Sequence, residues 1–388
     1  MSEGAVSQEL ITQAQKRGLW VAVALGVALL VIGATLHAAG VYSGALIAFL
    51  FIIDLGLGGV LFIMINNAAG ARWDTVFRRV PEAMAATLLS SAALVLVLVW
   101  AVPHVYPWAA PGFMDNPIPE LAGKKGWLSQ GAFSLRALIY VALWAGFLYL
   151  ILAKYRAQDR DGVDRRTTIR RMSMGFLILF AYTFSLASFD WLMSLEPTWY
   201  SAIFGVYCFG GVMQCGLATM LLLVICFDGK GVFKGELRDQ HLHDLGKWLF
   251  AWSVFWAYAW FFQYMLTWYA DLPDEHSYYL LRSGRWGWAM VAVVLGCFAV
   301  PFFGLASQKM KKDRRILAAI AGVVVFSHLM DLCLMVLPSQ GSLRNPFALL
   351  LPLAAGAGFL LLFLRAFKGR PAMPQADAAM AYSRRYLT

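Results

Sequence analysis

Charge is the scarcest property of this sequence. Only 14% of its 388 residues are Asp, Glu, Lys or Arg, whereas 60% are hydrophobic, and the mean hydropathy is +0.64. A soluble domain of this length does not need so much apolar surface, so the composition indicates a multi-span membrane protein. The net charge of +10 would suit a nucleic-acid partner, but the positions of the charges argue otherwise, as described below.

Metal and cofactor motifs are also scarce. The five cysteines lie in or beside apolar runs and form no CxxC pair and no iron–sulfur spacing, so we interpret them as small apolar filler. Only His328 lies well inside an apolar run, whereas a haem between helices usually has two axial histidines. No phosphate-binding loop, dinucleotide fingerprint or nucleophile elbow is present. We therefore expect this chain to bind no metal and no cofactor of its own.

Long apolar runs are abundant, and each is long enough for the roughly 20 residues that a helix needs to cross a bilayer. They predict an all-α integral membrane protein of about ten transmembrane helices, with a membrane domain at 19–367 between an N-terminal segment, 1–18, and a cytoplasmic tail, 368–388. Residues 370–388 of the tail are expected to be loose. The first run is expected to be an uncleaved span. The predicted spans are 19–39, 42–66, 83–105, 132–154, 173–194, 202–227, 245–269, 285–307, 315–337 and 346–367.

The Lys and Arg residues fall almost entirely on one side of these spans. Of the 32, only six lie in segments on the opposite side. Cytoplasmic loops of membrane proteins carry the excess of Lys and Arg, so both termini are predicted to be cytoplasmic. Because topology accounts for the positive charge, we expect no nucleic-acid partner. The six outer residues are Lys124, Lys125, Arg136, Arg282, Arg285 and Arg344.

An internal repeat is indicated by the ends of the fifth and ninth spans. Asp190 lies seven residues before Pro197, and Asp331 lies seven residues before Pro338. Four spans separate the two motifs, so spans 2–5 and 6–9 are predicted to form two four-helix bundles in the same orientation. Such a parallel repeat has its axis along the membrane normal. Spans 1 and 10 would flank the bundles.

Acids inside membrane helices are costly, so each is a functional candidate with a partner to be found. Asp190 lies about 10 Å inside the outer end of its helix at 1.5 Å per residue. Arg136, near the outer start of the fourth span, is at a depth where it could pair with it. Two interpretations stay open: an ion pair that locks two helices, or an acid that exchanges protons near the outer face.

Asp54 lies near the bilayer centre in LFIIDLGLGGVLF. The glycines around it favour close approach of another helix. We interpret Asp54 as a proton relay, and the alternative is a neutral acid that fixes helix packing. His328 and Asp331 share one helical face at i, i+3 spacing, which predicts a carboxylate–imidazole pair. That pair could hold a proton, serve packing alone or contact a quinone ring.

Weaker polar candidates lie along the predicted fifth and seventh spans. Serine hydroxyls in membrane helices often bond only to their own backbone, so each is a weak signal individually. These supporting residues are Tyr182, Ser185, Ser188, Gln263 and Tyr264.

Three segments carry a family resemblance. They are SFDWLMSLEPTWYSAIFGVY at 188–207, QYMLTWYADLP at 263–273 and RWDTVFRRVPEAM at 72–84. Together they resemble the smaller polysulfide-reductase-type (NrfD/PsrC-like) integral membrane subunit of bacterial alternative complex III. The resemblance covers essentially the whole chain, and that family also has ten spans in two four-helix bundles.

The resemblance implies a place in the bacterial inner membrane, within a complex that oxidises quinol or menaquinol. Electrons then pass through iron–sulfur clusters and c-type haems to a periplasmic cytochrome c or directly to an oxidase. The implied partners are a larger NrfD-like membrane subunit, iron–sulfur and multihaem cytochrome c subunits on the outer side, and lipids. The smaller subunit has no redox centre, supports quinol oxidation and offers a polar path for protons. The matching residues here are Asp54, Asp190, His328 and Asp331.

A purely structural anchor, with the acids as packing elements, stays open at this level, and so do two other functions. One is the quinone-interacting membrane anchor of a molybdopterin-type reductase, which the identity of the soluble partners would reveal. The other is a stand-alone secondary transporter, because an internal repeat with acids at the membrane midplane also fits transport.

Overall fold

The computed structural model describes residues 10–38, 40–116, 118–121, 123–271, 273–341, 345–368, 370–374, 377 and 379–386. Within these ranges the regular structure is helical and contains no strand. Short 3₁₀ turns join many of the helices. The α-helices are α1 (Gln13–Thr35), α2 (Val41–Ala69), α3 (Arg79–Ser91), α4 (Val95–Val105), α5 (Gln130–Asp161), α6 (Arg166–Trp191), α7 (Phe204–Gly229), α8 (Asp239–Ala270), α9 (Pro273–Arg282), α10 (Gly287–Val294), α11 (Val300–Gly304), α12 (Arg314–Val336), α13 (Phe347–Phe367) and α14 (Met380–Arg384).

Nine helical segments of the described chain are long and apolar enough to cross a membrane. They match nine of the ten predicted spans, and the all-helical, multi-pass prediction is confirmed to that extent. The tenth predicted span, 245–269, coincides with α8, which is 32 residues long but is not among the nine. Its five tryptophans and three tyrosines are amphipathic and lower its hydropathy. A membrane crossing by α8 therefore stays a prediction.

Helix α2 is the centre of the fold and is buried along nearly its whole length. It packs against α3, α4, α6, α7, α12 and α13. The predicted role of its glycines is confirmed where α2 crosses α7: a Cβ atom on Gly58 would lie 2.3 Å from the Cα atom of Gly216. Small residues at this crossing let the backbones of α2 and α7 touch. Side chains on α2 also lie close to α6 and α12, which pack on the same helix.

Two of the spans are interrupted. A 3₁₀ turn at Ala92–Leu94 separates α3 from α4, and a π-helical turn at Leu295–Ala299 separates α10 from α11. The side chain of Gln214 on α7 donates a hydrogen bond to the backbone carbonyl of Cys297 inside that π turn. A π turn leaves carbonyls free for such partners, so α7 is tied to the interrupted span at this point.

The C-terminal segment is docked onto the helices, so the prediction of a loose tail was wrong for its described residues. Asp377 accepts a hydrogen bond from Arg78 and another from Gln158. Ser383 is fully buried and donates to the backbone carbonyl of Trp73. The tail thus closes over the loop between α2 and α3. Residues 1–9 of the predicted N-terminal segment and Arg344 lie outside the described residues.

Candidate functional site

Asp190 lies at the end of α6 and is only 1% exposed. Arg136 on α5 donates to it twice, from Nε to Oδ2 and from Nη2 to Oδ1, each over 2.8 Å. The predicted pairing of these two residues is therefore confirmed. Its two-pronged geometry is the strong form of the arginine–carboxylate bond.

Two neutral donors complete the surroundings of Asp190. Trp127 Nε1 lies 2.8 Å from Oδ1, and the Tyr140 hydroxyl lies 3.0 Å from Oδ2. The Arg136 guanidinium also stacks on the Trp127 ring at 3.9 Å. Sequence reasoning missed Trp127 and Tyr140, although Tyr140 is one helical turn beyond Arg136. The Asp190 carboxylate thus accepts four hydrogen bonds, two from Arg136 and one each from Trp127 and Tyr140.

His328 has a different partner from the predicted one. Its Nε2 atom lies 3.0 Å from Oδ2 of Asp54, a residue of α2 that precedes it by 274 positions in the chain. The prediction of a His328–Asp331 pair was wrong, because the i, i+3 spacing describes one helix and cannot see the neighbour that packs on it. The buried pair Asp54–His328 can share one proton, held by either the imidazole or the carboxyl group.

A small cavity of about 20 Å³ borders this pair. One water molecule needs roughly 10–15 Å³, so the cavity has room for one. Two of the residues that line it, His328 and Trp191, each have a buried ring nitrogen, His328 Nδ1 and Trp191 Nε1, without a hydrogen-bond partner among the described residues. Ser188 and Cys208 also line it. A carboxyl group with two unpaired nitrogens is the polar setting in which a buried water is expected.

Asp331 is fully buried on the same face of α12 as His328, with partners of its own. It accepts a hydrogen bond from the Tyr207 hydroxyl on α7 at 2.5 Å and another from Trp256 Nε1 on α8 at 3.3 Å. Asp331 is thus a third acid buried between helices, and both of its donors are neutral side chains. Sequence reasoning missed Trp256 in this role, and no feature of its spacing identifies it.

The supporting polar residues do not form one line. Tyr182 is 71% exposed on the outside of α6. Ser185 and Ser188 each donate to a carbonyl of their own helix, as the weaker interpretation expected. Gln263 is buried and donates to the Tyr279 hydroxyl, and Tyr264 packs edge-on against that same ring. The last two therefore belong to a separate group near α9.

A buried ion pair that sequence reasoning missed joins Arg282 at the end of α9 to Glu196 over 2.8 Å. Arg282 also donates to the carbonyls of Leu334 and Met335, in the last turn of α12. These carbonyls have no partner within their helix, and a cation at a helix C-terminus interacts favourably with the helix dipole. One signal was available: Arg282 is among the few cations predicted on the outer side. It holds the C-terminal end of α12, the helix that carries Asp331.

A second buried charge cluster ties the tail to α3. Arg78 binds both Glu82, on the first turn of α3, and Asp377. Burial would raise the pKa of Asp377, but the Arg78 guanidinium and a backbone N–H hold it below its ordinary value. Burial raises the pKa of nearby Asp74 to about 6, against the opposing charge of Arg78. These groups lie outside the apolar parts of the spans and stabilise the connection between α2, α3 and the tail.

An apolar pocket of about 350 Å³ opens between α1, α2, α3 and α13. Its walls are apolar apart from the side chains of Ser90, Ser91 and Trp20. It contains no acid and no histidine, so its chemistry suits a hydrocarbon chain better than the reacting ring of a quinol. The described residues contain no group of three or more His, Cys, Asp or Glu side chains arranged to hold a metal ion. Comparison of the sequence with protein-family models and with curated proteins found no match.

Proposed function

We propose that this chain is the smaller, cofactor-free membrane subunit of a quinol-oxidising respiratory complex of the alternative complex III type. It resides in the bacterial inner membrane with both termini in the cytoplasm. Its partners are a larger NrfD-like membrane subunit and outer-side iron–sulfur and multihaem cytochrome c subunits. The sequence resemblance supports the identity of the complex. The observation that carries the role within it is the buried Asp54–His328 pair beside a cavity of water size.

The role we assign to this pair is to pass protons. A quinone ring needs a pocket of the order of 300 Å³ or more, and the cavity of about 20 Å³ is far smaller. A water molecule in the cavity would lie against both Asp54 and His328 and would link the pair to its surroundings. Asp331, three residues further along α12, and its donor Tyr207 supply the next exchangeable protons. Quinol itself would react elsewhere in the complex.

Asp190 receives a different assignment. Its four hydrogen bonds, two of them from the Arg136 guanidinium, match the arrangement of a permanent ion pair. We therefore propose that Asp190 and Arg136 lock α5 to α6 at the outer side and take no part in proton transfer. Of the two interpretations left open by the sequence, the geometry favours this one.

The proposed four-helix repeat is supported by equivalent helix neighbours. Helix α2 packs on α3 and α6, and α7 packs on α8 and α12. The contact of Gly58 with Gly216 joins the first helix of one proposed unit to the first helix of the other. A two-fold relation along the membrane normal would pass near this crossing. The partners of Asp190 and Asp331 differ, so the proposed repeat relates the helices and leaves the chemistry of the two acids distinct.

The experiment that tests the proton role is Asp54→Asn in the assembled complex. Asparagine keeps the shape and hydrogen-bonding capacity of the side chain but cannot carry a proton. Quinol-oxidation turnover should fall at least tenfold while the subunits still co-purify. Asp161→Asn, a change of the same kind at an exposed ion pair, is the matched control and should keep full turnover. Full turnover in the Asp54 variant would refute the assignment.

A further inference from the structure

A separate pocket of about 90 Å³ lies at the basic end of the helices, where α3 begins and α5 and α13 end. It is well above the roughly 10–15 Å³ that one water needs, and a phosphate-sized anion would fit. None of the residues assigned above to proton transfer touches it. Its walls are Arg79, Glu82, Ala83, Ala86, Arg156, Ala366, Phe367, Arg370 and Pro371.

The arginines of this pocket carry more positive charge than the protein neutralises. Arg79 is 5% exposed, and two of its nitrogens bind Glu82 and Asp159. Its third nitrogen, Nε, is buried without a hydrogen-bond partner. Within the described chain, Arg156 and Arg370 have no ion-pair partner. Burial and the neighbouring Arg156 charge lower the pKa of Arg370. The lone carboxylate in the wall, that of Glu82, is already occupied by Arg78 and Arg79.

The other half of the pocket is apolar. Ala83 and Ala86 on α3 face Ala366 and Phe367 at the end of α13. A phosphate group bound by the arginines would therefore have hydrocarbon surface directly beside it. Free anions do not need such a surface, whereas a phospholipid presents a phosphate next to glycerol and acyl carbons. Basic pockets between the ends of membrane helices are a known setting for anionic lipid headgroups.

We propose that this pocket binds the phosphate of an anionic phospholipid, with Arg79, Arg156 and Arg370 as its ligands. The recognised chemistry is a phosphate mono- or diester, and the adjoining apolar wall selects the lipid form. A lipid seated here would bridge α3, α5, α13 and the start of the tail. It would thereby neutralise the repulsion between Arg156 and Arg370.

Lipid binding to the full chain, purified from membranes in mild detergent, tests this proposal. Native mass spectrometry would measure retention of phosphatidylglycerol and of phosphatidylcholine, and thermal unfolding would measure stabilisation by each lipid and by inorganic phosphate. The informative variant is Arg156→Gln/Arg370→Gln, which removes two charges but no ion pair. The matched control is Arg171→Gln, an exposed arginine at the same end of the protein that does not line the pocket.

Phosphatidylglycerol should bind the wild-type protein and the control alike. It should bind the double variant about 25-fold more weakly, at about fivefold for each arginine. Equal binding to the double variant and the control would overturn the site. Stabilisation by inorganic phosphate, with loss of that effect in the double variant and no effect of the lipid, would overturn the lipid assignment and leave a free-anion site. Equal retention of phosphatidylcholine would contradict the selectivity for anionic headgroups.

Discussion

Replacing Arg136 should destabilise the protein more than replacing its partner Asp190. In an Arg136→Met variant, Asp190 stays 1% exposed and keeps only two neutral donors, Trp127 and Tyr140. Removing one partner of a buried ion pair costs about 3–5 kcal/mol, because the remaining charge is left without compensation. We expect a loss in that range from the free energy of unfolding.

Asp190→Asn should cost only about 1–2 kcal/mol. The Arg136 side chain is 16% exposed, so water partly solvates its charge. It also keeps its stacking on Trp127 and its hydrogen bond to the Trp127 carbonyl. The double variant Arg136→Met/Asp190→Asn leaves no unpaired charge and should therefore be more stable than Arg136→Met alone.

The assay is unfolding of the purified chain in mixed micelles by titration with sodium dodecyl sulfate, followed by tryptophan fluorescence. The four proteins form a double-mutant cycle, from which the coupling between the two side chains is obtained directly. Losses below about 0.5 kcal/mol for both single variants would refute the ion pair. So would a double variant whose loss equals the sum of the single losses.

Three further predictions address packing, pH and exposure. Gly58→Ala places a Cβ atom 2.3 Å from a backbone carbon of α7, so it should lower the free energy of unfolding by about 2–3 kcal/mol in the same titration. Gly146→Ala is the control, because its added Cβ atom meets open space, and it should leave the free energy of unfolding unchanged. Burial raises the pKa of Asp74 to about 6, so the folded protein holds this proton more tightly than the unfolded chain does. The stability that the proton contributes is therefore fully present below about pH 4 and is lost as the pH rises through 6. Asp74→Asn should therefore raise the melting temperature at pH 7.5, by the equivalent of about 3 kcal/mol, and not at pH 4; an equal effect at both pH values would contradict this. Cys226 is the exposed cysteine and the other four are buried, so a membrane-impermeant maleimide should label one thiol, from the cytoplasmic side; labelling from the outer side would reverse the topology.

The helices were largely predictable because membrane spans are defined by local composition. The predicted spans 202–227 and 346–367 agree within two residues with α7 and α13. The interruption of the third predicted span was not predictable, because the 3₁₀ turn at Ala92–Leu94 contains no glycine or proline. The π turn at Leu295–Ala299 did have a signal, since it contains Gly296 and is followed by Pro301, which has no N–H to donate to the carbonyl of Cys297.

The candidate site was predictable in its acids and much less so in their partners. Burial of Asp54, Asp190 and Asp331 follows from their position inside apolar runs, and the depth of Arg136 identified one partner correctly. The partner of Asp54 depends on how α2 packs against α12, and a single sequence contains no record of that contact. Local spacing therefore selected Asp331 for His328, although the structure brings His328 to Asp54.

The central claim is that this chain works inside a quinol-oxidising complex, and native purification tests it most directly. The chain, isolated from membranes of its source in mild detergent, would be examined by optical spectroscopy and subunit identification. We predict c-type haem absorbance together with iron–sulfur and multihaem cytochrome subunits and a larger membrane subunit of the same type. A chain that purifies alone and colourless would contradict the account.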